Sequence, residues 1–490
     1  MKEAVQKENS MGTQRMSRLI LMTGIPLMVS LFINSLYNFV DSMFVSRISE
    51  EALTALSLAA PVQLLVSALG LGNAVGLNAV ISRALGRRDQ GEVRKAADGA
   101  IFIALCSWVV IAVMCVLFVR TYFQWQSGGN QVIAEYGVDY LTVCMLFSFG
   151  QMGQWVFDRF VIASGRSGLF LFTLSAASVT NLILDPIFIF GWFGFPRMET
   201  LGAAIATVVG QIVGMIAGIV INRRWNQEIP FGFTLRPHMG SVITILKVGL
   251  PSTLVQVLTS FVGILMNSIL LGFSATAVAV YGICVRIYNI CTVGVHGINS
   301  GLIPIVAYNY GAGNKKRITD GVKWAMVYGV LFYLAFFGVL EFAPAMVLRI
   351  FDASEFMLQI GIPALRILAL SWLLAIPGLV LSAGFQGLSM GMSSMVITMT
   401  RQAVLPLGFT MILRAFGNLD ILWTGFLAAE LAGIPLAVVL WKKRLAKIGY
   451  EHSFLSYLKL EDMGIYTAYG KENKTEEKLE ELRRFGRGLK

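Results

Sequence analysis

Charge is scarce in this sequence: of 490 residues only 14% are Asp, Glu, Lys or Arg, against 56% hydrophobic, and the mean hydropathy is +0.70. Water-soluble chains carry about 25% charged residues. A soluble multidomain protein is therefore excluded, as are disordered and collagen-like chains. Cysteine is sparse too: Cys106, Cys115, Cys144, Cys284 and Cys291 sit singly in apolar runs, with no CxxC pair and no flanking histidine. That excludes a disulfide framework and a thiolate metal site, and the five read as packing residues. No HExxH and no histidine cluster is present, so an integral membrane enzyme is a less favoured alternative. No small-residue cleavage site follows the first apolar run, which is expected to remain as a helix.

What is abundant is apolar sequence, enough for about a dozen membrane spans of roughly 20 residues each. Apolar runs broken by charge or turn residues place twelve, near 19–42, 53–80, 99–119, 139–163, 168–190, 201–221, 249–271, 276–308, 322–343, 360–388, 394–416 and 420–441. The expected fold class is an all-α polytopic membrane protein. The net charge of +11 would suggest nucleic acid in a soluble protein, but its distribution excludes that partner. Of 39 Lys and Arg, 30 fall in the tails and in the loops on the same side, and five on the other: Arg47, Arg120, Arg197, Arg349 and Arg414. By the positive-inside rule both termini are cytoplasmic. The stretch from 442 to 490 is highly charged and reads as a solvated cytoplasmic tail.

The two halves resemble each other at a constant offset. Gly24-Ile25-Pro26 recurs as Gly249-Leu250-Pro251, and Leu85-Gly86-Arg87-Arg88 lies opposite Tyr310-Gly311-Ala312-Gly313, the numbering shifted by 225 in both cases. Six spans per half is an even number, so the halves are related by a pseudo-twofold axis along the membrane normal, as in many secondary transporters. The expected organisation is a cytoplasmic N-tail (1–18), a first lobe (19–222), a linker (223–248), a second lobe (249–441) and the tail. The repeat is also an internal control. Asp41 maps to Met266, Asp158 near Ser382 and Asp185 near Phe409, so acids inside the first half have no counterpart in the second. A carboxylate inside a bilayer is expensive and by default functional, which places ion or proton coupling in the first lobe.

Tyr37 stands four residues before Asp41, and Asn181 four before Asp185, so each acid has a neutral hydrogen-bonding partner one helical turn away. Pro186 frees carbonyls in the preceding turn. Two carboxyls so placed are expected to share a proton. Asp158 is a further coupling candidate, although Arg159 beside it offers an ion pair at the inner surface. Prolines in eight spans and Gly70, Gly72 and Gly76 in the second suit helices that must bend or rock. Abundant Phe and Met, 32 and 22 residues, suggest an adaptable apolar cavity.

These residues resemble the MATE (multidrug and toxic compound extrusion) family. The resemblance is carried by Gly24-Ile25-Pro26 with Tyr37 to Asp41, by Asn181 to Phe190, and by Leu201-Gly202-Ala203-Ala204-Ile205-Ala206-Thr207. In the second half it rests on Ala279 to Ile283, Pro304 to Gly313 and Arg401-Gln402. It covers about residues 15–445. It implies a twelve-helix antiporter in a bacterial cytoplasmic membrane, exporting cationic or amphipathic drugs in exchange for protons or sodium, with no other cofactor. By position Asp41, Tyr37, Asn181 and Asp185 match the family's coupling site, and Thr207, Arg401 and Glu430 are the candidate cavity residues. Acids are lacking in spans seven and ten, where the NorM-like branch places cation ligands, so the chain looks closer to the DinF-like bacterial branch. A monomer is expected. A lipid-linked saccharide flippase of the same superfamily is the alternative; a channel is disfavoured because no filter-like loop recurs.

Overall fold

The computed structural model describes residues 9–447 apart from 233, 235, 352 and 353. Residues 1–8 and 448–490, and with them most of the expected charged tail, lie outside the described residues. Those described form helices and connections without a strand: α1 (Met16–Ser46), α2 (Glu50–Gly86), α3 (Gln90–Gln126), α4 (Gln131–Leu146 and Phe149–Ala163), α5 (Ser167–Phe190), α6 (Glu199–Trp225), α7 (Met239–Leu271), α8 (Ala275–Gly311), α9 (Lys315–Phe342), α10 (Glu355–Gly387), α11 (Gly391–Met399, a π turn at Thr400–Val404, and Leu405–Leu413) and α12 (Leu419–Lys447). Eleven helices are long and apolar enough to cross a membrane, and the two halves of α4, bent by 45°, complete a twelfth. The twelve expected spans are therefore all present.

The helices outrun the apolar runs because polar caps start them early. Ser49, Asp89, Ser274 and Asn314 each accept a hydrogen bond from a backbone N–H of the first turn of α2, α3, α8 and α9, a contact worth about 1 kcal/mol. Ser49 and Ser274 are related by the repeat offset, as are Asp89 and Asn314. The left-handed residues ahead of the caps of α3 and α9, Arg88 and Gly313, keep the same offset. The break in α4 at Phe147–Ser148 was not expected, since no proline or glycine marks it. The carbonyl of Leu146 that it frees accepts from Trp108 Nε1 at 2.7 Å.

The repeats meet through α1 on α8 and α2 on α7, pairs that exchange under a twofold, and through α2 on α8. Glycine makes these crossings close. A Cβ on Gly249 would lie 2.0 Å from Gly72 O, one on Gly86 2.0 Å from Tyr308 O, and one on Gly311 2.1 Å from Arg83 O. The last two contacts are twofold mates, since Arg83 and Tyr308 keep the repeat offset too. They close the end of the bundle where α1 begins, called basal below; the other end is distal. Residues to Ala437 form one compact unit, and Val438 onward is separate, its described part continuing α12.

Candidate functional site

Close approach of α5 and α6 assembles the site. A Cβ on Gly202 would come within 2.6 Å of the Phe188 backbone, and one on Gly210 within 2.8 Å of Ala177 O. Thr207, between these glycines, is thereby brought to Asn181: Asn181 Nδ2 donates to Thr207 Oγ1 and to Asp185 Oδ1, both at 3.3 Å. Helix α1 packs on α5 and presents Tyr37 and Asp41 one turn apart. Tyr37 is hydrogen-bonded to Thr207, and the side chains of Asp41 and Asp185 are hydrogen-bonded to each other. Asp185 and Asn181 are buried.

Three oxygens of this cluster, Asp41 Oδ1, Asp185 Oδ2 and Asn181 Oδ1, are buried with no donor. A hydrogen bond between two carboxyl groups requires one proton, because ionised carboxylates only accept. The arrangement can thus hold a proton between the acids, or offer three oxygens to a small cation. Tyr37, Asp41, Asn181, Asp185 and Thr207 are brought together.

Beside them lies a cavity of about 510 Å³, lined entirely from the first repeat. Asp41 is its single formally charged lining residue. Six amides line it (Asn34, Gln63, Gln151, Gln154, Asn181 and Gln211), with hydroxyls from Tyr37, Tyr140, Ser57, Ser67, Ser178 and Thr207. The amide wall escaped the sequence reading. Its signal was Gln151 and Gln154 three residues apart in an apolar span, on the helix face that borders the cavity. The expected Phe and Met lining is not found: one methionine, Met145, and no phenylalanine line the space, and its apolar part comes from residues such as Leu53, Leu56, Val66, Trp155 and Leu174.

Asp158 stands apart from the acid pair. It is 3% exposed and accepts from Thr173 Oγ1 at 2.5 Å. Thr173 precedes Asp185 by twelve residues on α5, roughly 18 Å at 1.5 Å per residue, so Asp158 lies basal to the cavity, one turn beyond Gln154. Arg401 and Glu430 are not lining residues. They form a buried ion pair in the second repeat, with Nε to Oε2 at 2.8 Å and Nη2 to Oε1 at 2.9 Å, while Nη2 also donates to Ala375 O. The guanidinium lies against Gly378, and its stem against Gly433, where a Cβ would come within 2.3 Å and 2.6 Å. No group of three or more His, Cys, Asp or Glu poised for a metal occurs among the described residues.

Comparison with known proteins places this architecture. A family model for MatE matches residues 26–187 and again 251–412, so both ends of the match repeat at the offset read from the sequence. That offset puts Thr410 opposite Asp185 and Ala383 opposite Asp158, one residue beyond the expected partners and still without acids. The chain is 24% identical over 426 residues to the multidrug export protein MepA of Staphylococcus aureus (strain MSSA476), covering 86% of this chain and 92% of that one. It is 22% identical over 422 residues to MepA of Staphylococcus haemolyticus (strain JCSC1435), with the same coverage. Among solved structures, MATE in complex with MaL6 superposes with a TM-score of 0.82 at 25% identity, covering 91% of this chain and all of that one. A MOP superfamily transporter from Pyrococcus furiosus, described as having a binding pocket of reverse polarity that suggests a different function, gives 0.82 at 25%, covering 92% of this chain and all of that one.

Proposed function

The chain belongs to the MatE family of membrane transporters, and on that premise we propose that it is a proton-coupled antiporter that exports organic cations by alternating access. The carrying observation is the hydrogen-bonded pair Asp41–Asp185 beside a cavity with no other charge in its wall. With the pair ionised, the cavity attracts a cation. A proton entering from outside neutralises it, and the cation leaves outward. The emptied protein then rocks to release the proton inward. Tyr37, Asn181 and Thr207 hold the acids in register, and Asp158, basal to the cavity, receives the proton on its way out. The loops rich in Lys and Arg lie at the basal end, which makes that end cytoplasmic in a bacterial inner membrane; the protein works as a monomer.

The substrate follows from the wall. Six amides and six hydroxyls favour a cation that carries N–H or O–H groups of its own, because an apolar ion would leave them unpaired. The multidrug export activity named for the MepA relatives supports drugs of this kind. No Lys or Arg among the lining residues is available for a lipid-linked phosphate, which speaks against the flippase.

The test is cation-gradient-driven proton flux in proteoliposomes at varied pH and sodium. Flux should follow the cation gradient without sodium, and Asp41→Asn should abolish it. Normal exchange by Asp41→Asn would sink the reading. Flux that requires sodium would move the coupling to that ion, for which the three donor-free oxygens are the ligands.

A further inference from the structure

At the basal end the chain crosses from one repeat to the other before α1 begins. Ser10–Thr13 make a single helical turn whose Met11 side chain is fully buried. On the first-repeat side, Asn9 Nδ2 donates to Ser164 O at 3.0 Å and, at 2.8 Å, to Oε2 of Glu228, a linker residue held by Arg166 of the first repeat, and Met11 lies against Gly165, where a Cβ would come within 3.1 Å of its Cγ. On the second repeat, Arg317 Nη2 donates to Met11 O at 2.9 Å and to Gln14 O at 2.8 Å, and Asn309 Nδ2 donates to Met11 O at 3.0 Å. Arg317 Nε is in turn held by Asn309 Oδ1 at 3.1 Å. The Tyr308 ring lies against Gly12. The segment is therefore bonded to both repeats next to Gly86 and Gly311, where α2 and α8 close.

We infer that residues 9–14 are a strap across the closed basal seam, that Arg317 and Asn309 position it on the second repeat, and that the Asn9 anchor is the one released when the basal end opens. The two anchors differ in the number of groups that make them. The second-repeat side carries two charge-assisted bonds from a guanidinium, which are about twice as strong as neutral ones. The first-repeat side hangs on a single amide side chain, with one neutral bond to Ser164 O and one to the Glu228 carboxylate, and that carboxylate is already shared with Arg166 at 3.0 Å. The base of α1, into which the strap runs, lies against α8 and α9, with Met16 against Gly321, Thr23 against Gly301 and Gly24 against Ile298, so the strap travels with the second repeat. The inference rests on the rocking proposed above and assigns that motion a latch, with one end fixed and one free.

The test uses the full chain carrying Cys106→Ala, which removes the single exposed cysteine among the described residues. In proteoliposomes, oxidising the pair Asn9→Cys with Glu228→Cys should cut cation exchange at least tenfold, and reductant should restore it. The pair Gly12→Cys with Tyr308→Cys, on the side that stays bound, should change exchange by less than twofold. Adding Arg317→Ala should make the first crosslink harmless, because the seven residues from Asn9 to Met16 then reach roughly 23 Å when extended; a merely structural Arg317 would not give that rescue. Full exchange by the crosslinked Asn9–Glu228 protein overturns the strap. So do two cysteines that react with maleimide but never join under oxidant, since the side chains then do not meet. An unmodified chain that exchanges nothing refutes the antiport reading itself, whereas an exchanging chain indifferent to the crosslink refutes the strap alone.

Discussion

Replacing Glu430 by Gln isolates what the buried pair in the second repeat does. The substitution keeps the size of the side chain and an oxygen able to accept from Arg401, but removes the negative charge. Arg401, 2% exposed, is then an uncompensated cation in an apolar interior, and breaking a buried pair from one side costs about 3–5 kcal/mol. Arg401 Nη1 already lacks an acceptor, so the site has no spare partner to soften the loss. Replacing both residues by Met and Leu removes the two desolvation penalties together, and such swaps are often neutral or stabilising by about 1–4 kcal/mol. The measurement is reversible unfolding in mixed micelles for Glu430→Gln and for Arg401→Met, Glu430→Leu and their double, the last three closed as a double-mutant cycle, with cation exchange recorded for each. The expected pattern is strongly destabilised singles and a double that recovers both stability and exchange. A loss under about 1 kcal/mol in Glu430→Gln would refute the dry pairing. A stable double variant that no longer exchanges cation would refute the assignment of the pair to packing and return it to the transport path.

Two further outcomes test the geometry. Gly86→Val and Gly311→Val each put a side chain where a backbone atom lies 2.0–2.1 Å from the first carbon, so the basal seam cannot close. Each variant should lose exchange while keeping its helix content by circular dichroism, and unchanged exchange would show that the seam does not close tightly during the cycle. Thr173→Val deletes the 2.5 Å donor to Asp158 and leaves a buried carboxyl short of a partner, a cost of about 1–3 kcal/mol. It should lower stability in the same micelle titration and slow proton release, while cation binding to the detergent-solubilised protein stays within twofold; weakened binding would bring Asp158 into the cavity.

The acids were legible because the bilayer makes them so. Asp41 and Asp185 stand in long apolar runs, each with a polar residue four positions earlier, and helical periodicity alone puts those partners on one face. The repeat offset was equally legible, and the structure extends it to caps and a left-handed turn that the apolar pattern does not register. Other features depend on which helix faces meet, and no local rule supplies that. Arg401 and Glu430 lie on different helices and look in sequence like two separate polar intrusions; their pairing depends on glycines at 378 and 433 that make room for the guanidinium and its stem. The amide wall is spread over α1, α2, α4, α5 and α6, one or two residues each, so composition pointed to Phe and Met, which are plentiful but face elsewhere. The break in α4 has no proline to announce it, and the indole of Trp108 that satisfies its freed carbonyl comes from another helix.

The glycine crossing of α2 and α7 sets a lever. At Gly72 and Gly249 the two helices touch backbone to backbone, and Thr253 of α7, seated on Gly72, donates to Ala68 O of α2 at 3.1 Å, so the contact is a close bearing pinned by a side-chain hydrogen bond. Gly72 stands fourteen residues from the basal end of α2 at Gly86 and twenty-two from its distal end at Glu50, arms of roughly 21 and 33 Å at 1.5 Å per residue. Each 10° of rotation about the bearing would therefore carry the basal end through roughly 4 Å and the distal end through roughly 6 Å. Unequal arms mean that one small angle serves two mouths differently: a narrow basal gap suffices for a seam made of glycine, while the distal mouth swings half as far again.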